Sequence, residues 1–259
     1  MNGWSWGRAK PWAAVVLRYV LLGPPARTRR AKVTRAALSV ALWTIVLFRY
    51  EPSLIFAHEY VHPRFIVHSD APLGSATRTV LDAATERLQR SGIDDPGRVF
   101  RVYLCNEAWR MRLLAPLSTE AYAMTNVGTH VVNRCDVSAD RVYSGTRSRS
   151  LSGTLAHEAT HTIIWHRYGT LAAMRLPPWK EEGLCDYVAG ESTFPEAEGL
   201  RILAEGRDDP SASFFYFKAR RMVDHLIHVD GLTIDEVVLR HHDEATVAEA
   251  LRARLRRAR

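Results

Sequence analysis

The chain has 259 residues, 47% of them hydrophobic and 24% charged, with only three cysteines, a composition that excludes disordered, collagen-like and disulfide-stapled proteins and leaves material for a buried core. Its formal net charge of +7 suggests a nucleic-acid partner until it is divided along the chain. Residues 1–35 hold eight basic side chains and no acid, so the remaining 224 hold 27 basic against 28 acidic groups, and five of those 27 are arginines between 252 and 259. A mildly acidic body argues against nucleic acid.

In chain order, an apolar stretch from Trp12 to Gly23, split by Arg18 and closed by Pro24-Pro25, reads as an interfacial segment rather than a span. Residues 36–48 then carry no charge. A bilayer core requires about 20 apolar residues, so a full crossing would run over 36–57, through Arg49, Glu51 and Pro52. The preferred reading is an uncleaved, single-pass transmembrane anchor; a cleaved signal peptide and a buried core helix are the alternatives. The basic leader 1–35 places the N-terminus in the cytoplasm and the domain 58–259 outside it, periplasmic or at the cell surface.

The first H-E-x-x-H of the chain, His58-Glu59-Tyr60-Val61-His62, is followed at once by Pro63 and reads as a membrane-proximal linker. Periodicity predicts a helix between Gly74 and Gly92, with Val80, Leu81, Ala84 and Leu88 on its apolar face. Short strands are expected near 99–105, 120–126 and 129–135, close enough for Cys105 and Cys135 to form a disulfide or to remain two buried thiols. Helices follow at Leu151–Tyr168, Trp179–Ala189, Ser211–Val229, 232–240 and 244–258, three of them closed by Gly169, Gly190 and Gly231. The expected fold class is α+β, a small antiparallel or mixed sheet followed by a mainly helical domain.

The helix at 151–168 holds the second H-E-x-x-H, His157-Glu158-Ala159-Thr160-His161. Residues four apart lie one above the other on a helix, so both imidazoles can reach one metal ion while Glu158 faces the place of an activated water. A catalytic zinc needs a third protein ligand. The segment Pro178-Trp179-Lys180-Glu181-Glu182-Gly183-Leu184-Cys185-Asp186-Tyr187 can supply it if its helix lies antiparallel to the first. Glu182 would then face His157 and His161, and Asp186, one turn on, would accept the remaining N–H of a ligating histidine.

These two helices resemble the gluzincin zinc metallopeptidases, in which an H-E-x-x-H helix is followed about twenty residues later by W-x-x-E-G-x-x-x-Y. The resemblance covers roughly residues 120–230 and is strongest to membrane-anchored bacterial members. It implies zinc held by His157, His161 and Glu182, Glu158 as catalytic base, and a peptide or protein substrate. It also implies a transition-state tyrosine, Tyr216 in the Ser213–Ala219 stretch or, failing it, Tyr187. Cys185 stands where alanine is more usual, and the absence of an amine-recognition motif near 121–127 means aminopeptidase activity is not implied.

An extended substrate could pair with an edge strand near 121–134. A zinc-bearing scaffold or binding module without useful turnover is the alternative. His130 and His166 read as strand or surface residues, His225 and His228 as packing or surface residues, and Glu181, about 100° round the helix from Glu182, as solvated. Phe214, Phe215 and Phe217 read as core, and the terminal arginines as a solvated helix end.

Overall fold

The structure, a computed structural model, describes residues 28–126 and 128–257; the basic leader up to residue 27 and the 12–23 segment lie outside the described residues. The chain divides into one unit ending at Leu54 and a second beginning at Ile55.

The first unit holds helix α1, Arg29–Tyr50, whose N-terminus is capped by the Thr28 hydroxyl accepting from Ala31 N–H at 3.2 Å. At 1.5 Å per residue its 22 residues extend about 33 Å, against a hydrocarbon core of about 30 Å. The helix is long and apolar enough to cross a membrane, and none of its residues is buried. The boundaries differ from the expected 36–57. The helix gains its length on the N-terminal side and stops at Tyr50, because Pro52 has no N–H to continue the ladder and opens a 3₁₀ turn, Pro52–Ile55.

In the second unit strands β1 (His58–Val61), β2 (Phe65–Ser69), β3 (Phe100–Cys105), β4 (Ala123–Asn126) and β5 (Thr129–Asn133) form a mixed sheet in the order β1-β2-β3-β5-β4. The three central strands are parallel and both edges antiparallel. Helix α2 (Ala76–Arg90) connects β2 to β3, and α3 (Ala108–Leu114) follows β3. Alternation gives the sheet two apolar faces. Phe65, Val67, Phe100, Val102, Leu104 and Val132 join the main core with α2, while Tyr103, Cys105 and Val131 form a smaller cluster with Met111 and Leu114 of α3. A polar hairpin, β7 (Arg141–Ser144) and β8 (Arg147–Ser150), with the two-residue strand β6 (Cys135–Asp136) paired to β7, makes a second sheet.

The remainder is helical: α4 (Leu151–Tyr168), α5 (Thr170–Arg175), α6 (Pro178–Ala189), α7 (Glu196–Ala204), α8 (Ala212–His228), α9 (Ile234–Leu239) and α10 (Glu244–Arg257). The α+β class with a mixed sheet is therefore as expected, with β1, β2, the β6–β8 sheet and helices α3, α5 and α7 in addition. Residues 58–61 are an edge strand, not a linker. Two histidines four residues apart on extended chain are about 13 Å apart, too far to share one ion, and the His62 ring instead lies 3.0 Å from Asp82 of α2. All three cysteines are free thiols, Cys105 and Cys185 buried and Cys135 half-buried. Phe215 is 37% exposed rather than core. Arg254, Arg256 and Arg257 are exposed as expected, and Arg256 also donates to the Ala204 carbonyl at the end of α7.

Helix α4 is buried throughout its first ten residues, so its unpaired N–H groups need protein partners. Ser150 accepts from Gly153 N–H at 2.9 Å, and Asp140 accepts from the Ser152 N–H and hydroxyl, both at 2.7 Å. Helix α6 starts with Pro178 at its first position and ends on Gly190 at φ 70°, the asymmetry that pyrrolidine and glycine favour. It packs between α4 and α8.

Gly183 sets the approach of α6 to α8: a Cβ there would lie 2.6 Å from the Ala219 carbonyl oxygen. That atom is backbone and cannot rotate away. Alanine's helix propensity would favour the variant by about 1 kcal/mol, but overpacking against backbone costs about 1–3 kcal/mol. Gly183→Ala is thus expected to lower the midpoint of chemical denaturation; an unchanged or raised midpoint would show that the helices are not in contact here.

Candidate metal centre

Histidines 157 and 161 lie on the α4 face that meets α6, their rings 5.1 Å apart centroid to centroid. Glu182 reaches them from α6, its Oε2 3.3 Å from His157 Nε2 and 3.7 Å from His161 Nε2. Ligands held about 2.0 Å from one ion in tetrahedral geometry stand about 3.3 Å from each other. The three atoms therefore converge as an ion would require. Glu182 Oε2 is also buried, and its distances of 3.3 and 3.7 Å from the two imidazole nitrogens are longer than good N–H···O hydrogen bonds.

A second combination exists: donor atoms of His157, His161 and Cys185 lie within 4.8 Å of one another, a group able to hold a metal ion. Cys185 is fully buried, and burial followed by the surrounding Glu182 and Glu181 carboxylates pushes its thiol well above the ordinary 9. Glu182 differs from it in carrying a carboxyl whose pKa is held below the usual range, with its oxygen within 3.7 Å of both Nε2 atoms.

Each imidazole is held from behind by a carboxylate. Asp186 Oδ1 lies 2.8 Å from His157 Nδ1 and also accepts from Arg149 at 3.1 Å. Arg149 continues to Glu191 Oε1 at 3.3 Å, which in turn accepts from the Ser150 N–H and hydroxyl. His161 Nδ1 is 3.0 Å from Glu181 Oε1. Glu181 is thus not solvated: α6 runs close enough to α4 for two successive residues to reach successive histidines. Burial disfavours the His157 imidazolium, but Asp186 and Glu182 outweigh it and push its pKa up to about 10. Burial likewise opposes ionisation of Glu182 and Asp186. The His157 and His161 imidazoles keep Glu182 below the usual carboxylate range, and Arg149 followed by His157 does so for Asp186.

Glu158 is 6% exposed and faces the sheet edge, where the Thr125 hydroxyl donates to its Oε2 at 2.5 Å. His130, read as an ordinary strand residue, is fully buried and directly opposite Thr125 in the β4–β5 register, its Nδ1 2.9 Å from the same hydroxyl oxygen. Burial, with a smaller contribution from His161, holds His130 down to about 3.

The sign for stability follows. Between pH 6.5 and 3 the unfolded chain binds a proton at His130 that the folded chain does not, so this residue's contribution to stability is intact above 6.5 and is lost as pH falls. The slope is about 1.4 kcal/mol per pH unit. His130→Gln is expected to shallow the acid side of the stability–pH curve by that amount, measured by urea denaturation from pH 4 to 6; parallel curves would place His130 in water.

Beside these groups lies a cavity of about 250 Å³, lined by Glu120–Ala123 before and on β4, by Arg147 and Arg149 of β8, and by His157, Glu158 and Tyr216. The Tyr216 ring is 6.3 Å from that of His157, and burial followed by the Glu182 charge pushes its phenol up. Tyr187 does not line the cavity; its hydroxyl lies 3.1 Å from His228 Nε2. The expected residues His157, Glu158, His161, Glu182, Asp186 and Tyr216 are together, and Tyr187 is apart. His166 stands at the surface near Asp95, and buried His225 lies 3.8 Å from Asp230. Thr125, His130, Arg149, Glu181 and Glu191 carried no motif signal. No protein-family model and no curated protein sequence matches this chain.

Proposed function

We propose that the chain is a membrane-anchored zinc metallopeptidase of gluzincin type, with His157, His161 and Glu182 holding the ion and the domain after Ala57 outside the cytoplasm. The observation that carries the reading is the convergence of two imidazole nitrogens and a buried carboxylate oxygen, beside a glutamate outside that group of three. A purely structural zinc site closes with four protein ligands and has no use for such a glutamate. When bound, zinc supplies Lewis acidity, polarising a carbonyl and making water more acidic.

The chain's own residues divide the remaining work. Among the described residues strand β4 is the end of the sheet and pairs on one side only, with β5, so its outer edge can take an extended peptide as a further strand. Glu158 removes a proton from the attacking water as the new C–O bond forms. It returns that proton to the amide nitrogen as the C–N bond breaks. The Tyr216 hydroxyl donates to the carbonyl oxygen as it gains charge. Asp186 and Glu181 fix the two imidazoles so that each presents Nε2 to the centre. The basic residues up to Arg35, four of them in the first two turns of α1, support the orientation.

The test is hydrolysis of a mixed peptide library by the zinc-loaded full chain, read by mass spectrometry. New termini that vanish on chelation and return with zinc are expected; a zinc-loaded chain that cleaves nothing leaves the scaffold alternative. For topology, a reporter fused after Arg259 should be active outside the cytoplasm, and cytoplasmic activity would reverse the orientation.

A further inference from the structure

We infer that Thr125 and His130 form a one-way hydrogen-bond relay that positions the Glu158 carboxylate, so that one oxygen is fixed by the sheet edge and the other is left for proton transfer. The inference rests on Glu158 being the base of the reading above. Its geometry is independent of that reading. Thr125 and His130 are cross-strand partners in the β4–β5 ladder, which brings their side chains to the same sheet face, here the face packed against α4.

The direction of the relay is fixed by counting hydrogens. The Thr125 hydroxyl has one proton and three close neighbours, Glu158 Oε2 at 2.5 Å, the Glu158 backbone carbonyl oxygen at 3.2 Å, which like the carboxylate can only accept, and His130 Nδ1 at 2.9 Å. A carboxylate can only accept, and 2.5 Å is the length of a charge-assisted O–H···O⁻ bond. The hydroxyl therefore donates to Glu158. Its oxygen is left to accept, so His130 must carry its proton on Nδ1. The other ring nitrogen agrees: Nε2 is buried and has no partner, tolerable for a lone pair and worse for an N–H.

A neutral imidazole with no exchange route to water cannot take the proton over, so the relay orients Glu158 without draining it. Donation from His130 also strengthens the hydroxyl as a donor. Thr125 and His130 are accordingly positioning residues, acting through Glu158.

The experiment uses the full-length chain with ¹⁵N-labelled histidine, His130 being assigned by its loss in His130→Gln. The expected nitrogen pattern is that of a neutral Nδ1–H tautomer; an Nε2–H tautomer overturns the relay whether or not any peptide is cleaved. The second arm compares Thr125→Val and Thr125→Ser on a peptide that the wild type hydrolyses. Valine should lower kcat about 10–100-fold, the usual cost of losing such a supporting hydrogen bond, with KM and zinc content unchanged. Serine should restore most of the loss. Unchanged kcat in the valine variant overturns the positioning role, as does a loss of kcat accompanied by equal loss of zinc in both variants. If the wild type cleaves nothing, the peptidase reading has failed and the tautomer alone decides the relay.

Discussion

Replacing Glu158 with glutamine is expected to lower kcat for peptide hydrolysis by about 10²–10⁴-fold, the range contributed by a positioned general base, while zinc content stays at the wild-type level. The separation of these two quantities follows from the structure. Glu158 is beside the ligands without being one of them, and its held oxygen bonds to a hydroxyl that can equally donate to an amide. Glutamine keeps the shape and that bond and loses only the ability to take a proton. Steady-state kinetics with metal analysis on the same preparation decides it. A glutamine variant that cleaves as fast as wild type would remove Glu158 from the chemistry, and one that loses zinc would make it a ligand.

The largest effect on stability is expected from Asp186→Ala. One oxygen of this carboxylate serves both His157 Nδ1 and Arg149, and the side chains of Asp186 and Arg149 are 1% and 9% exposed. Its removal leaves Arg149 with Glu191 at 3.3 Å and His157 with Glu182 at 3.3 Å, and taking one partner out of a buried ionic group costs about 3–5 kcal/mol. Loss of the support behind a metal-binding imidazole also weakens metal affinity or activity about 10–100-fold. Asp186→Asn keeps an acceptor oxygen and should lose less of both. Urea denaturation in the presence of chelator isolates the stability term. A loss below about 0.5 kcal/mol, the range of an ordinary surface substitution, would mean that Arg149 and His157 find other partners.

The parts of the site legible in the sequence are those set by local periodicity. His157 and His161 are four apart on one helix, and Glu182 and Asp186 are four apart on the next, so helix geometry and a short connection sufficed to place four groups against one another. Glu181 shows where that logic stops. A rotation of 100° removes it from Glu182's direction but not from reach of His161, because α6 packs directly against α4 and neighbouring positions on it both reach that ring. Thr125 and His130 depend on strand register, and Arg149 and Glu191 on a contact across 42 positions; no local pattern carries either. Strand β1 was hidden for a different reason. His58, Glu59 and His62 imitate a ligand motif, and their chain is extended instead of helical because Pro63 follows and β2 offers a partner. The β7–β8 hairpin, rich in arginine and serine, has too little apolar alternation to be read as strands.

The account depends most on the identity of the ligands, and X-ray absorption at the zinc edge on the zinc-loaded full chain tests it directly. It predicts stoichiometric zinc surrounded only by nitrogen and oxygen at about 2.0 Å, from His157, His161 and Glu182. A sulfur neighbour at about 2.3 Å would put Cys185 in the ligand set, and a chain that holds no zinc at all would contradict the centre itself.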